Sequence, residues 1–160
     1  MQSDMATVYL GIGSNIGNKE ANCEEAICRL SGIAGIQVIA RSGFYLTKPA
    51  GDVPQEDFLN GAVKIDTTLL PEDCLRLFKD IEKDMGREET GRNHPRIMDI
   101  DILLYDDMIL KKDNLMIPHP RMHERYFVLR GLAEIAPGIV HPVFGKTMRE
   151  MYETVVSGKF

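Results

Sequence analysis

Two aspartates one residue apart, Asp99 and Asp101, interrupt the apolar run Ile97-Met98-Asp99-Ile100-Asp101-Ile102-Leu103-Leu104-Tyr105. The run is β-branched and aliphatic, and its length suits a strand. Successive strand side chains point to opposite faces. The spacing therefore predicts that Asp99 and Asp101 share one face while Ile100, Ile102 and Leu104 turn into a core. Two carboxylates that close repel each other and resist burial unless positive charge lies between them. A hard cation with oxygen ligands answers that need, and Mg²⁺ carried in on a nucleotide is the commonest answer.

Cationic groups bracket the pair. Arg87, Arg92, His94 and Arg96 precede it, and His119, Arg121, His123, Arg125 and Arg130 follow. The whole chain carries a net charge of −5, so this local excess of positive charge is informative. Arginine forks bind phosphate oxygens bidentately and keep their charge when desolvated. Carboxylates beside arginines suggest a metal-bound polyphosphate, where both offset charge on a transferring phosphoryl group. Arg96 lies three residues before Asp99, and Pro95 stiffens its approach, so Arg96 is expected to be a positioned phosphate clamp. Phe58 and Asn60 are expected to share another strand face, giving a stacking surface and a carboxamide suited to the edge of a flat heterocycle.

Gly11-Ile12-Gly13-Ser14-Asn15-Ile16-Gly17 is a weak match to a dinucleotide fingerprint and lacks the Gly-Lys-Ser/Thr of a phosphate-binding loop. It is read as a tight turn that needs positive φ.

The elements that must position these groups follow from periodicity. Residues 7–12 are expected to form a first strand. Asn18 is expected to cap a helix whose buried face is Cys23, Ala26, Ile27 and Leu30, ending near Gly32. A second strand runs over residues 36–40 and on to Phe44-Tyr45, and a third over 58–67. Pro71 opens a helix with the stripe Cys74, Phe78, Ile81 and Met85, closed at Gly86. The aspartate strand follows, then short extended pieces over 108–110 and 115–118, and helices over 125–135 and 146–156. The order βαββαβ predicts an α+β, ferredoxin-like antiparallel sheet with two helices on one face and a C-terminal extension, leaving the opposite face free for a site.

The chain has 160 residues, 44% hydrophobic and 27% charged, which suits one globular domain spanning residues 1–160. The acidic balance argues against nucleic-acid binding. No apolar stretch approaches the ~20 residues of a membrane span, and the N-terminus has no secretory pattern. Cys23, Cys28 and Cys74 fit no zinc spacing and are expected to be reduced thiols in a cytoplasmic protein.

The segment Arg92-Asn93-His94-Pro95-Arg96-Ile97-Met98-Asp99-Ile100-Asp101-Ile102-Leu103, preceded by Gly86-Arg87, closely resembles the signature of the 6-hydroxymethyl-7,8-dihydropterin pyrophosphokinases of folate biosynthesis. Gly11-Ile12-Gly13-Ser14-Asn15, Phe44-Tyr45-Leu46-Thr47, Phe58-Leu59-Asn60-Gly61-Ala62-Val63 and the stretch from Pro118 to Leu129 are similar to other parts of that family. The resemblance implies Mg²⁺-dependent transfer of diphosphate from ATP to the pterin hydroxymethyl group, with AMP released, by a monomer. It implies that Asp99 and Asp101 hold two Mg²⁺ ions. It places Thr47 and Asn60 at the pterin edge and Phe58 and Phe127 on its two faces. Glu82, Arg87, Arg96, His119 and Arg125 fall on the ATP side. Arg92 and Arg96 serve catalysis, and the loops over residues 43–54 and 85–96 close over ATP.

Two other readings compete. A nucleotidyltransferase shares a Gly-Ser and an Asp-x-Asp, but usually in close succession, whereas 85 residues separate Ser14 from Asp99 here. A non-enzymatic ligand sensor needs no paired aspartates.

Overall fold

The computed structural model describes residues 4–49, 51–87 and 94–158. Strands β1 (Ala6–Ser14), β2 (Ile36–Arg41), β3 (Tyr45–Thr47), β4 (Phe58–Thr67) and β5 (Asp99–Tyr105) form a sheet. Its order is β2-β4-β1-β5, every pair is antiparallel, and β3 extends the sheet alongside the start of β4. Helices α1 (Lys19–Ser31) and α2 (Pro71–Asp84) lie between β1 and β2 and between β4 and β5 in the chain. A small hairpin, β6 (Leu110–Lys112) and β7 (Leu115–Ile117), leads to α3 (Tyr126–Ile135) and α4 (Met148–Ser157).

The expected helix faces are the buried ones. Asn18 accepts the Ala21 N–H at 3.1 Å, satisfying one of the orphan donors at the start of α1, and Cys23, Ala26, Ile27 and Leu30 are its buried residues. In α2, Pro71 occupies the first turn and Cys74, Phe78 and Ile81 are buried. Both helices pack with Val8, Leu10, Val63, Ile65, Ile100 and Ile102 in one core.

The opposite face is not wholly free, contrary to the expectation. A second core of Tyr9, Ala62, Leu103 and Leu104 receives Leu129 and Leu132 of α3 and Met148 and Met151 of α4. These two helices cover one part of the sheet and leave bare the part where β1, β4 and β5 carry Gly11, Gly13, Asn60, Asp99 and Asp101. Contact is close at Gly131, where a Cβ would stand 2.9 Å from the Ala62 Cβ and 3.3 Å from the Ser42 Oγ.

Three local expectations change. Leu104 joins the second core and Tyr105 the first, because the register slips at Leu103: Tyr9 faces Leu104 but Leu10 faces Ile102. One extra residue reverses the alternation of everything beyond it. The strand expected to run from residue 36 to 45 breaks after Arg41. There the Ser42 hydroxyl accepts the Ala62 N–H at 2.8 Å in place of a ladder bond, and pairing with β4 resumes at Tyr45. Finally, Gly11 and Gly13 belong to β1, and of the glycines in that motif only Gly17, at φ +71°, adopts a left-handed backbone.

Gly131→Val should place branched carbons against the β4 backbone. A stability loss of about 1–3 kcal/mol in urea unfolding is expected from such overpacking, outweighing the gain from removing a helical glycine.

Candidate active site

The uncovered part of the sheet is the floor of a cavity of about 480 Å³. Register explains its layout. Gly13 stands between Asn60 of β4 and Asp99 of β5, and Gly11 between Ala62 and Asp101. A Cβ at Gly13 would lie 2.9 Å from the Asn60 Oδ1, so the lane between the carboxamide and the aspartates is open only because β1 has no side chain there. The glycine motif thus clears a floor rather than making a turn.

On one side of the floor Asn60 donates from Nδ2 to the Thr47 Oγ1 at 2.6 Å, across the β3–β4 pair. Phe58 from β4 and Phe127 from α3 both line the cavity. The four residues expected to bind a heterocycle therefore meet around one space, although they come from three elements.

On the other side Asp99 is held by two arginines. Arg87 Nη1 lies 3.0 Å from its Oδ1, and Arg96 Nη1 lies 3.4 Å from its Oδ2. Arg87 also contacts the Glu82 Oε1 at 2.8 Å. Glu82, only 6% exposed, accepts the backbone N–H of Ile100 at 2.7 Å, between the two aspartates. Burial pushes the Glu82 carboxyl up, against the Ile100 N–H and Arg87, which favour its charged form. Glu82 and Arg87 therefore stand behind Asp99 as a bracing network and do not form part of the cavity wall.

Asp101 does line the cavity. Burial, then the charges of Asp99 and Glu82, push its carboxyl up to about 7, while Arg125 and Arg96 pull the other way. Among the described residues no three His, Cys, Asp or Glu side chains cluster at ligand spacing. Asp99 and Asp101 are thus a two-carboxylate half-site. Such a donor set fits Mg²⁺, which is usually bound by one or two carboxylates and completes its shell with phosphate oxygens and water.

His119 and Arg125 also border the cavity, joined by Lys48, Gln55, His94 and Arg121. Of these, Lys48 and Gln55 were not singled out in the sequence, because nothing local marks a loop residue that folds over a distant strand. His119 Nδ1 accepts the Arg121 N–H at 3.2 Å, so the neutral ring carries its proton on Nε2. Burial, then the Arg125 charge, pull its pKa down to about 4. Arg92 and the middle of its loop lie outside the described residues.

The model of the family 7,8-dihydro-6-hydroxymethylpterin-pyrophosphokinase (HPPK) matches residues 9–137, more than half of the chain. The chain belongs to this family. It is 46% identical over 146 residues to the 2-amino-4-hydroxy-6-hydroxymethyldihydropteridine pyrophosphokinase of Methylorubrum extorquens, covering 91% of each chain. It is 44% identical to the folic acid synthesis protein FOL1 of Dictyostelium discoideum, covering 94% of this chain but 23% of that longer protein. Among solved structures, Plasmodium falciparum HPPK-DHPS with pteroate superposes with a TM-score of 0.77 at 19% identity, over 98% of this chain and 43% of that one. This last likeness concerns the fold. Among the described residues no helix is long and apolar enough to cross a membrane.

His119 is expected to stay neutral throughout the physiological range. An NMR titration of its ring protons should show no transition between pH 5 and 8. Its folded pKa is depressed, so its stabilising contribution is complete above the unfolded value near 6.5 and is lost as pH falls through about 4.

Proposed function

We propose that this protein transfers diphosphate from ATP to the hydroxymethyl group of 6-hydroxymethyl-7,8-dihydropterin, dependent on Mg²⁺ and releasing AMP, as a monomer on a ferredoxin-like sheet. One observation carries the reading. A carboxamide–aromatic slot and a pair of aspartates, of which Asp99 is braced by two arginines, face each other across a lane cleared by Gly13, within one cavity. Membership of the pyrophosphokinase family supports it.

In this reading Phe58 and Phe127 stack on the two faces of the pterin, while Asn60 and Thr47 meet the donors and acceptors of its edge. Arg96, Arg121 and Arg125 face the polyphosphate, where forked guanidinium groups match phosphate oxygens. Neutral His119 offers an Nε2–H as a hydrogen-bond donor without adding charge. Asp99 and Asp101 would hold two Mg²⁺ ions, which would screen the phosphate charge and acidify the pterin hydroxyl. The hydroxyl oxygen attacks the β-phosphorus in line. A new O–P bond forms as the bond from the β-phosphorus to the α–β bridging oxygen breaks, and AMP leaves. In this reading Asp101 takes the hydroxyl proton. Glu82 and Arg87 act from behind, holding Asp99 and the intervening backbone in place.

The deciding experiment incubates the protein with Mg²⁺, ATP and the reduced pterin alcohol, and identifies both products by mass. Free AMP and a pterin diphosphate are expected; AMP joined to the acceptor would instead mean nucleotidyl transfer. Asp99→Ala and Asp101→Ala should each raise the barrier by at least ~3 kcal/mol, as for other preorganised electrostatic groups. Near wild-type kcat in either variant at saturating Mg²⁺ would remove that aspartate from the metal site.

Asn60→Ala should weaken binding of the pterin by roughly 1–3 kcal/mol, because heterocycle groups are left unpaired, and should barely change ATP affinity. Equal losses for both ligands in titration calorimetry would take Asn60 out of the pterin slot.

A further inference from the structure

One face of α3 does more than border the cavity. Phe127, Arg130, Gly131 and Glu134 recur at i, i+3, i+4 and i+7, so they share that face. Phe127 lines the cavity. The other three meet the chain that enters β3. A Cβ at Gly131 would stand 3.3 Å from the Ser42 Oγ. The Glu134 Oε1 accepts the Gly43 N–H at 3.0 Å. The Arg130 guanidinium carbon lies 3.8 Å from the centroid of the Tyr45 ring.

These contacts bear on a group of the cavity. β3 has three residues, paired with the start of β4, and Thr47 ends it. Thr47 is 7% exposed, and its Oγ1 accepts the Asn60 Nδ2 at 2.6 Å. So short a strand cannot absorb a displacement at its start, and a shift at Gly43 or Tyr45 moves the Thr47 hydroxyl. Arg130 and Glu134 are both exposed, which decides between two roles for them. Exposed charged contacts contribute little to global stability. A binding constellation, by contrast, must be held to within about 0.5 Å, so modest anchors matter there.

We infer that Arg130 and Glu134 are positioning residues: they fix the chain entering β3 to the helix that carries Phe127, and so set where Thr47 stands relative to that ring. This rests on the reading of the cavity given above. One helix then gauges the slot, with its first turn facing the flat ring and its later turns holding the strand that meets the ring's edge.

The test is a double-mutant cycle read on affinity by calorimetry. The reduced pterin alcohol is titrated into protein saturated with Mg²⁺ and an ATP analogue in which methylene replaces the α–β bridging oxygen, and the analogue is titrated separately. Glu134→Ala should weaken pterin binding about 5- to 20-fold, less than a lost charge-assisted hydrogen bond to the ligand itself, because Thr47 is displaced and not removed. Arg130→Met keeps the apolar stem and drops the cation, and should weaken it about 2- to 5-fold. Glu134→Gln still offers an oxygen to the Gly43 N–H and should stay within about 2-fold of wild type. Affinity for the analogue should change by less than about 2-fold in all three. In a Thr47→Val background Glu134→Ala should cost less than about 2-fold more, since the group it positions is gone. Wild-type pterin affinity in either Glu134→Ala or Arg130→Met overturns the inference. So do equal losses for both ligands, or an undiminished Glu134→Ala loss in the Thr47→Val background. Loss of cooperative unfolding in either single variant makes the role structural and overturns it as well. Wild-type protein that binds neither ligand and makes no diphosphate product retires the pyrophosphokinase reading itself, and this inference with it.

Discussion

Two like charges on one face of an edge strand constrain everything around them. Carboxylates that share a strand face repel each other, and the charge of Asp99 bears on Asp101. Arg87 and Arg96 brace Asp99 from both carboxylate oxygens. Asp101, with less help, is pushed up to about 7 by burial and by the neighbouring carboxylates. Between them Glu82 reaches from α2 to accept the Ile100 N–H. The arrangement holds two oxygen donors in fixed positions and leaves part of their charge unanswered, which is the state a Mg²⁺-bound polyphosphate would relieve.

That requirement explains the uneven cover of the sheet. Both faces bury apolar side chains, but α3 and α4 stop short of the strands' functional ends. Gly131 lets α3 settle close on Ala62, and Phe127 at the start of that helix then reaches the cavity. Gly13 performs the complementary task from below by leaving the lane between Asn60 and Asp99 empty. A helix brought close and a floor kept clear make one space shared by the carboxamide–aromatic side and the aspartates.

Rigid and adaptable parts are divided between strands and loops. The aspartates and Asn60 are on paired strands. The groups that complete the cavity, Lys48, Gln55, His94 and Arg96, come from connections, where function commonly collects on a stable scaffold. Asn15 is the point where two of those connections are tied to the end of β1.

The sequence by itself determined the local events. The i, i+2 aspartates, the cap at Asn18, the helix stripe through Phe78 and the Phe58/Asn60 face were all legible because each depends on a period of 2 or 3.6 and on near neighbours. Tertiary structure decided what long-range pairing controls. The slip at Leu103 exchanged the faces of Leu104 and Tyr105, since register is set by the partner strand and one extra residue inverts the alternation. Glu82 meets the Ile100 N–H, and helix periodicity cannot say which backbone N–H a buried carboxylate will meet. The glycines of β1 look like a turn until β4 and β5 are laid beside them. Only then is it clear that an absent side chain opens the site, because steric emptiness belongs to a neighbourhood and not to a residue.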